Sequence, residues 1–287
     1  MQQEDNRQAL ERAVASHYGD GDLWARILAG LDAAGIALDG LHPDELAPVD
    51  EFHIGGRRAT ARAVSKMVLN SDQHVLDVGC GIGGTARHIA SQVGCAVTGI
   101  DLAPEYIDVA RRLTALTGLA EAISYEVGSA LEMPFDGASF DAAITIHVAM
   151  NIAARETLYA EIARVLKPGA TFVMYDVMRI SDEDLLFPVP WAESQATSHL
   201  RTPEQMRVLL QRAGFVVDAV EDLTEAAREF FGQAVARSDD GPPPLGIHVT
   251  IGAGAPEKIR NMLDNVSSGR IAPVLMIARK APSTQVS

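Results

Sequence analysis

Cysteine is scarce in this chain: 287 residues include two, Cys80 and Cys95. Two thiols make no disulfide framework, and one of them lies inside a glycine-rich turn, so a reducing, cytoplasmic setting is expected. Basic residues are outnumbered, with 24 Lys and Arg against 38 Asp and Glu and a formal net charge of -14. That balance excludes a nucleic-acid backbone as the expected partner, since phosphate binding needs clustered cations. No apolar run reaches the ~18 residues of a membrane span. Met1 to Arg12 is polar, without the apolar core of a signal peptide. The eight histidines show no His-x-x-x-His pairing, so no metal site is expected. Internal repeats and low-complexity segments are missing too.

What is present is ordinary globular material, 47% hydrophobic and 22% charged. The length suits one large α/β domain or such a domain with a cap. The organising stretch is Val75-Leu76-Asp77-Val78-Gly79-Cys80-Gly81-Ile82-Gly83-Gly84. It reads as a buried strand entering a glycine-rich turn, with a helix starting near Thr85. Glycine permits a tight turn and lets a ligand approach the backbone without a Cβ in the way. The next helix's free amides then face the turn.

From Val75 strand and helix alternate, the pattern of a parallel sheet covered on both faces. Strands are predicted at 96–100, 123–127, 142–146, 171–178, 215–220 and 271–279, with helices at 104–117 and 155–166 and another from Pro203. Before the first strand, residues 7–38 and 57–69 read as helical. Residues 180–202 break the alternation and are predicted as a mobile loop or cap over one end of the sheet. The domain reading is an N-terminal helical region over 1–70, a ligand-binding core over 71–223 with the lid at 180–202, a helical insertion over 224–269, a last core strand over 270–280 and a loose tail over 281–287.

Ligands of an open parallel sheet sit beyond the carboxyl ends of its strands. Those positions hold Asp77 and the glycines, then Asp101, then Gly128-Ser129-Ala130, then His147 with Asn151, then Tyr175. Gly79, Gly81 and Gly84 also satisfy a dinucleotide fingerprint, which alone leaves the ligand open. Each position has a plain structural alternative. The glycines serve a turn, Asp101 caps the helix at Pro104, Ser129 makes a local turn, and His147 packs as a core histidine.

The acidic-x-Gly-x-Gly-x-Gly turn (Asp77, Gly79, Gly81, Gly83), Asp101, the Gly128-Ser129-Ala130…Met133-Pro134-Phe135 segment, Ser139-Phe140-Asp141 and Arg164-Val165-Leu166-Lys167-Pro168-Gly169 together resemble class I S-adenosylmethionine-dependent methyltransferases. A nicotinamide enzyme accounts for the glycines and Asp101 but not for the later segments. The resemblance implies a Rossmann-like sheet, mostly parallel, of about seven strands. It also implies S-adenosyl-L-methionine as cofactor and S-adenosyl-L-homocysteine as product. Asp77, Gly79, Gly81, Gly83, Asp101, Leu102, Ser129, Ala130 and His147 would contact the cofactor, and His147 would serve as the base where one is needed. Ser129 stands where many relatives carry Asp, which weakens the expected adenine contact.

The Asp50-Glu51-Phe52-His53-Ile54-Gly55-Gly56 loop and His147-Val148-Ala149-Met150-Asn151-Ile152 look like bacterial sarcosine or dimethylglycine N-methyltransferases. That subgroup implies a small-molecule acceptor, with nitrogen favoured over a natural-product hydroxyl or carbon. Tyr18, His53, Asn151, Tyr175 and Trp191 are the acceptor-side candidates. Neither nucleic acid nor membrane is expected as a partner, and a homodimer is compatible with the subgroup. A nicotinamide-dependent oxidoreductase and a non-catalytic S-adenosylmethionine-binding protein are the rival readings.

Overall fold

A computed structural model describes residues 22–236, 243–252 and 254–282. The expected helical content before residue 22, Tyr18 included, and the tail beyond 282 lie outside them.

Among the described residues, three α-helices precede the sheet: α1 (Leu23–Ala33), the short α2 (Ala47–Asp50) and α3 (Gly56–Ser65). In α1, Leu23, Ile27 and Leu31 recur every four residues and are buried, the spacing that puts side chains on one helix face. Its first amide is satisfied from outside, because Leu23 N–H donates to Glu105 Oε1 at 3.0 Å.

Seven strands follow: β1 (His74–Val78), β2 (Ala96–Asp101), β3 (Ile123–Val127), β4 (Phe140–Ile146), β5 (Leu166–Arg179), β6 (Phe215–Asp222) and β7 (Ile271–Lys280). They lie in the order β3-β2-β1-β4-β5-β7-β6. The first five are parallel, and β7 runs antiparallel to both β5 and β6. Helices α4 (Gly84–Val93), α5 (Pro104–Leu116), α6 (Arg155–Val165) and α7 (Pro203–Arg212) connect the strands.

The two sheet faces sort by strand periodicity. Leu76, Val78, Phe172 and Met174 join the apolar cluster that holds Leu158 and Ile162 of α6. The alternate residues Val75, Val173 and Tyr175 join the cluster with Ile89 of α4 and Ile107 of α5. A central strand covered on both sides reads as a continuous apolar run for this reason.

The structure refines three expectations. Strand β5 begins at Leu166, not Thr171, because Leu166 already pairs with Phe140 and a register shift absorbs Lys167 to Ala170. The helical insertion resolves, among the described residues, into three helices: α8 (Thr224–Ala236), the four-residue α9 (His248–Ile251) and α10 (Ala255–Ser267). Residues 180–202 form a packed cap rather than a bare loop. Val189, Trp191 and Ala192 are buried in a cluster with Phe231, Met262 and Ile271. No helix among the described residues is long and apolar enough to cross a membrane.

Candidate functional site

Strand order reverses at β1 and β4, and a cavity of about 430 Å³ opens above their carboxyl ends. The glycine turn forms its floor. Gly79 N–H and Cys80 N–H both donate to the Ile100 carbonyl, at 2.8 and 3.1 Å, which folds the turn back against β2. Gly79 has φ of +74° and a side chain there would collide with Val148. Only glycine satisfies both conditions without strain.

Asp101 ends β2 and its carboxylate is already committed to backbone. Oδ2 accepts from Gly81 N–H at 2.9 Å and Oδ1 from Ala103 N–H at 2.9 Å. The cap-like contact near the α5 helix and the turn-bracing contact therefore coexist, and the residue also lines the cavity. Leu102, Ser129 and Ala130 border the same end. The Ser129 hydroxyl accepts from Leu131 N–H at 3.1 Å, a local turn bond.

Asp77 is fully enclosed, and Oδ2 has no hydrogen-bond partner. Burial, with the Asp101 and Glu51 carboxylates nearby, pushes its pKa up to about 7. An orphaned acid on a glycine floor, with a second acid at the end of β2, fits a nucleoside ligand that carries positive charge. Gly83 does not line the cavity. Its φ is +86° and an added Cβ would collide with the Tyr125 hydroxyl, so it serves the turn's packing.

The far end of the cavity lies under the cap and insertion. His147 follows β4 with φ of +53°, a left-handed conformation strained for a non-glycine residue. Its N–H donates to the Tyr175 carbonyl at 2.8 Å, while ring atom Nε2 is buried and unpartnered. Burial, and then His53, holds the imidazole's pKa well below the ordinary value.

His53 sits on the loop between α2 and α3. Its Nε2 lies 3.2 Å from the Gly56 carbonyl, 3.0 Å from Thr60 Oγ1 and 3.3 Å from Glu51 Oε2. Glu51 in turn meets Arg57 Nη1 at 2.8 Å. Burial lowers His53 to about 4 despite the Gly56 bond. Around the two imidazoles the walls are apolar: Phe52, Met150, Trp191, Phe230, Phe231 and Met262.

Asn151 and Trp191 line the cavity, Trp191 with its indole N–H donating to Ser198 Oγ at 3.0 Å. Tyr175 does not line it. Its hydroxyl donates to the Ile54 carbonyl at 3.0 Å and ties the cap loop to β5. Sequence reading gave no role to Asp50, Phe230, Phe231 or Met262, which the fold brings to the cavity from segments far from the glycine turn. No spacing rule connects them, although the adjacent aromatics Phe230 and Phe231 of the insertion are a visible signal. Among the described residues no group of three or more His, Cys, Asp or Glu is arranged to hold a metal ion.

Residues 76–174 match the family described as a methyltransferase domain. The ajmaline N-methyltransferase of Rauvolfia serpentina is 33% identical over 144 residues, 47% of this chain and 50% of that protein. The chain therefore spans about half the length of that relative. The O-methyltransferase resE of Aspergillus sclerotiorum is 30% identical over 184 residues, 62% of this chain and 68% of its own length. Among solved structures, the geranyl diphosphate C-methyltransferase of Streptomyces coelicolor A3(2), in complex with Mg2+, geranyl-S-thiolodiphosphate and S-adenosyl-L-homocysteine, superposes with a TM-score of 0.69. It is 18% identical, and the match covers 95% of this chain and 98% of that one.

Proposed function

Because this chain belongs to the class I S-adenosylmethionine-dependent methyltransferases of small molecules, we propose that it methylates a hydroxyl group on a largely apolar acceptor. The observation that carries the reading is the pair of neutral imidazoles, His147 and His53, at the end of a cavity whose other walls there are aromatic and aliphatic. A hydroxyl has a proton to donate to an imidazole lone pair, and its apolar skeleton fits those walls.

The subgroup resemblance favoured nitrogen, and a small charged amino acid such as sarcosine was its model acceptor. Such a zwitterion would need fixed partners for both charges, and desolvating either without one is costly. Among the described residues that line the cavity, which include Phe52, Trp191, Phe230 and Phe231, there is no Lys or Arg to pair with its carboxylate. An amine on an apolar alkaloid skeleton is the second reading, supported by the likeness to ajmaline N-methyltransferase.

When bound, S-adenosylmethionine supplies an electrophilic sulfonium methyl whose thioether leaves without needing a proton. The Gly79 and Gly81 backbone would border the methionine part, and Asp77 would offer a carboxylate oxygen to its cationic groups. Asp101 would accept from the ribose hydroxyls on its remaining lone pairs. Leu102, Ala130 and Ser129 would border the base. His147 accepts the acceptor's proton as oxygen loses it, and His53 keeps that region neutral and hydrogen-bonded. Trp191 and the two phenylalanines exclude water and hold the acceptor for in-line attack.

A panel of phenols, hydroxylated terpenoids, apolar amines, sarcosine and dimethylglycine, scored by S-adenosylhomocysteine formation, tests the proposal. Turnover of the hydroxylated compounds alone is the expected result. Turnover of sarcosine or dimethylglycine alone would reject both readings.

A further inference from the structure

Asp50 is the last residue of α2, outside the glycine turn and at the start of the 50–56 loop, which carries only the subgroup resemblance and no cofactor role. Its side chain is nonetheless buried against that turn. Its Oδ1 accepts from Arg87 Nη2 at 2.6 Å, an ion pair in which neither side chain is exposed. Its Oδ2 is buried and has no hydrogen-bond partner, and the residue borders the cavity although its side chain has no exposed surface in the ligand-free fold. The approach to the floor is close. A Cβ placed on Gly84 would lie 2.6 Å from Asp50 Cβ and 3.1 Å from its carboxyl carbon.

An unpartnered carboxylate oxygen inside a protein costs free energy unless a ligand completes it. The Arg87 guanidinium offsets only part of the charge, and burial still pushes Asp50 up to about 6. The cofactor of this family carries an ammonium on its methionine part, and the glycine turn that would border that part is the surface Asp50 overhangs. Asp77 presents a second orphaned oxygen from the other side, at the end of β1.

We propose that Asp50 is a cofactor-binding residue, its Oδ2 accepting a hydrogen bond from the α-ammonium of S-adenosylmethionine, so that the N-terminal cap closes on the donor through this carboxylate. Arg87 is then a positioning residue, which fixes the carboxyl rotamer through Oδ1 and its own bond to Thr114 Oγ1 at 3.2 Å. The cap and the core are joined at the donor's charged end rather than by apolar packing alone. The inference rests on the cofactor assignment and not on the identity of the acceptor.

The test pairs the residue with the ligand group. Binding of S-adenosylhomocysteine, and of its analogue with hydroxyl in place of the α-amino group, is measured by calorimetry on the whole chain. The wild-type protein should prefer the amino compound by tenfold or more. Asp50→Asn should bring that preference below about threefold, and Asp77→Asn should leave a part of it. Because Asp50→Asn strands a buried guanidinium, Asp50→Asn/Arg87→Met is run beside it, with thermal melting to confirm folding. An unchanged preference in a folded variant overturns the assignment. A wild-type chain that binds both compounds equally does so too, whereas one that binds neither overturns the cofactor reading itself. Should neither variant fold, a crystal structure of the wild-type chain with S-adenosylhomocysteine decides. Asp50 Oδ2 within hydrogen-bond distance of the ammonium upholds the assignment, and a separation beyond that range overturns it.

Discussion

His53 and His147 meet edge to face at the acceptor end of the cavity, their ring centroids 5.7 Å apart and their planes inclined at 63°. One comes from a loop between two N-terminal helices and the other from the end of β4, so the pair exists only when the cap is docked on the sheet. Each disfavours protonation of the other, since two imidazolium charges at that distance in a buried site repel.

The first consequence is a pH profile. An imidazole held well below its ordinary pKa is already a free base at neutral pH, so kcat/KM for a hydroxyl acceptor, measured with S-adenosylmethionine saturating at every pH, should show no acid limb near 6.5. The limb should lie at lower pH, and His53→Ala should move it upward by removing the neighbour that depresses His147. His147→Ala should lower turnover by roughly 10²–10⁴, the range for loss of a positioned base, with S-adenosylhomocysteine affinity nearly unchanged. A limb centred at 6.5 in the wild-type chain, or a loss confined to cofactor binding, would sink the assignment.

The second concerns Asp77, whose carboxyl is raised to about 7 in the ligand-free fold. A raised carboxyl contributes stability below its unfolded value near 4 and loses it as pH climbs through 7. His53, lowered to about 4, has the opposite sign, its contribution being lost as pH falls from 6.5 toward 4. A cationic ligand favours the ionised form of Asp77, so its affinity must rise with pH. Between pH 5.5 and 7.5 the Kd of S-adenosylhomocysteine should fall by at least roughly ten- to thirtyfold, the linkage for the Asp77 proton. Titration calorimetry across that range measures it, and Asp77→Asn should make the curve shallower, leaving the smaller dependence that Asp50, raised to about 6, contributes. A Kd independent of pH in the wild-type chain would contradict the placement of charge.

Much of this architecture was legible because it is written locally. Val75 to Gly84 specifies a buried strand and a turn through composition alone, and Asp101 follows the next strand at a fixed interval. The β5 start was not legible, because Leu166 becomes strand only by pairing with Phe140 across a register shift. Tyr175 read as an acceptor-side residue from its position after a strand. Its ring instead packs behind His53 and His147, with centroids 6.1 and 5.1 Å away, and its hydroxyl is spent on the Ile54 carbonyl. Asp50 and Phe231 come to the cavity through tertiary packing, for which a single sequence carries no spacing rule.

The third prediction separates wall from floor. Trp191 is 3% exposed and belongs to the cluster that roofs the acceptor end. Trp191→Phe keeps most of the apolar surface but strands the Ser198 hydroxyl, so the acceptor KM should rise a few fold. Trp191→Ala should raise KM by more than about tenfold and cost roughly 3–5 kcal/mol of stability, as large-to-small changes in cores do. The cofactor Kd should stay within about twofold in both variants, because the apolar cluster that holds Trp191 contains no residue of the glycine turn. Steady-state kinetics beside S-adenosylhomocysteine titration reads both quantities, and parallel changes in them would refute the division.

The last prediction sets two glycines against each other. Gly99 lies in the middle of β2, paired with Asp77 on one side and Tyr125 on the other. A Cβ there would stand 2.7 Å from Tyr125 Cδ1 and 2.8 Å from Cys80 Sγ. Tyr125 cannot easily retreat, because it is buried and its hydroxyl is bonded to Thr114 Oγ1 at 2.9 Å. Gly99→Ala should therefore overpack the core by about 1–3 kcal/mol and, through Cys80, disturb the turn and weaken cofactor binding. Gly94 ends α4 at φ of +78° with open space around it. Gly94→Ala pays only for the left-handed backbone, about 1–2 kcal/mol, and should leave cofactor affinity intact. Urea melts will not distinguish the two variants sharply, since their ranges overlap, but S-adenosylhomocysteine titration will. Equal affinities in both would mean that the close approach of Tyr125 and Cys80 to β2 does not shape the cofactor floor.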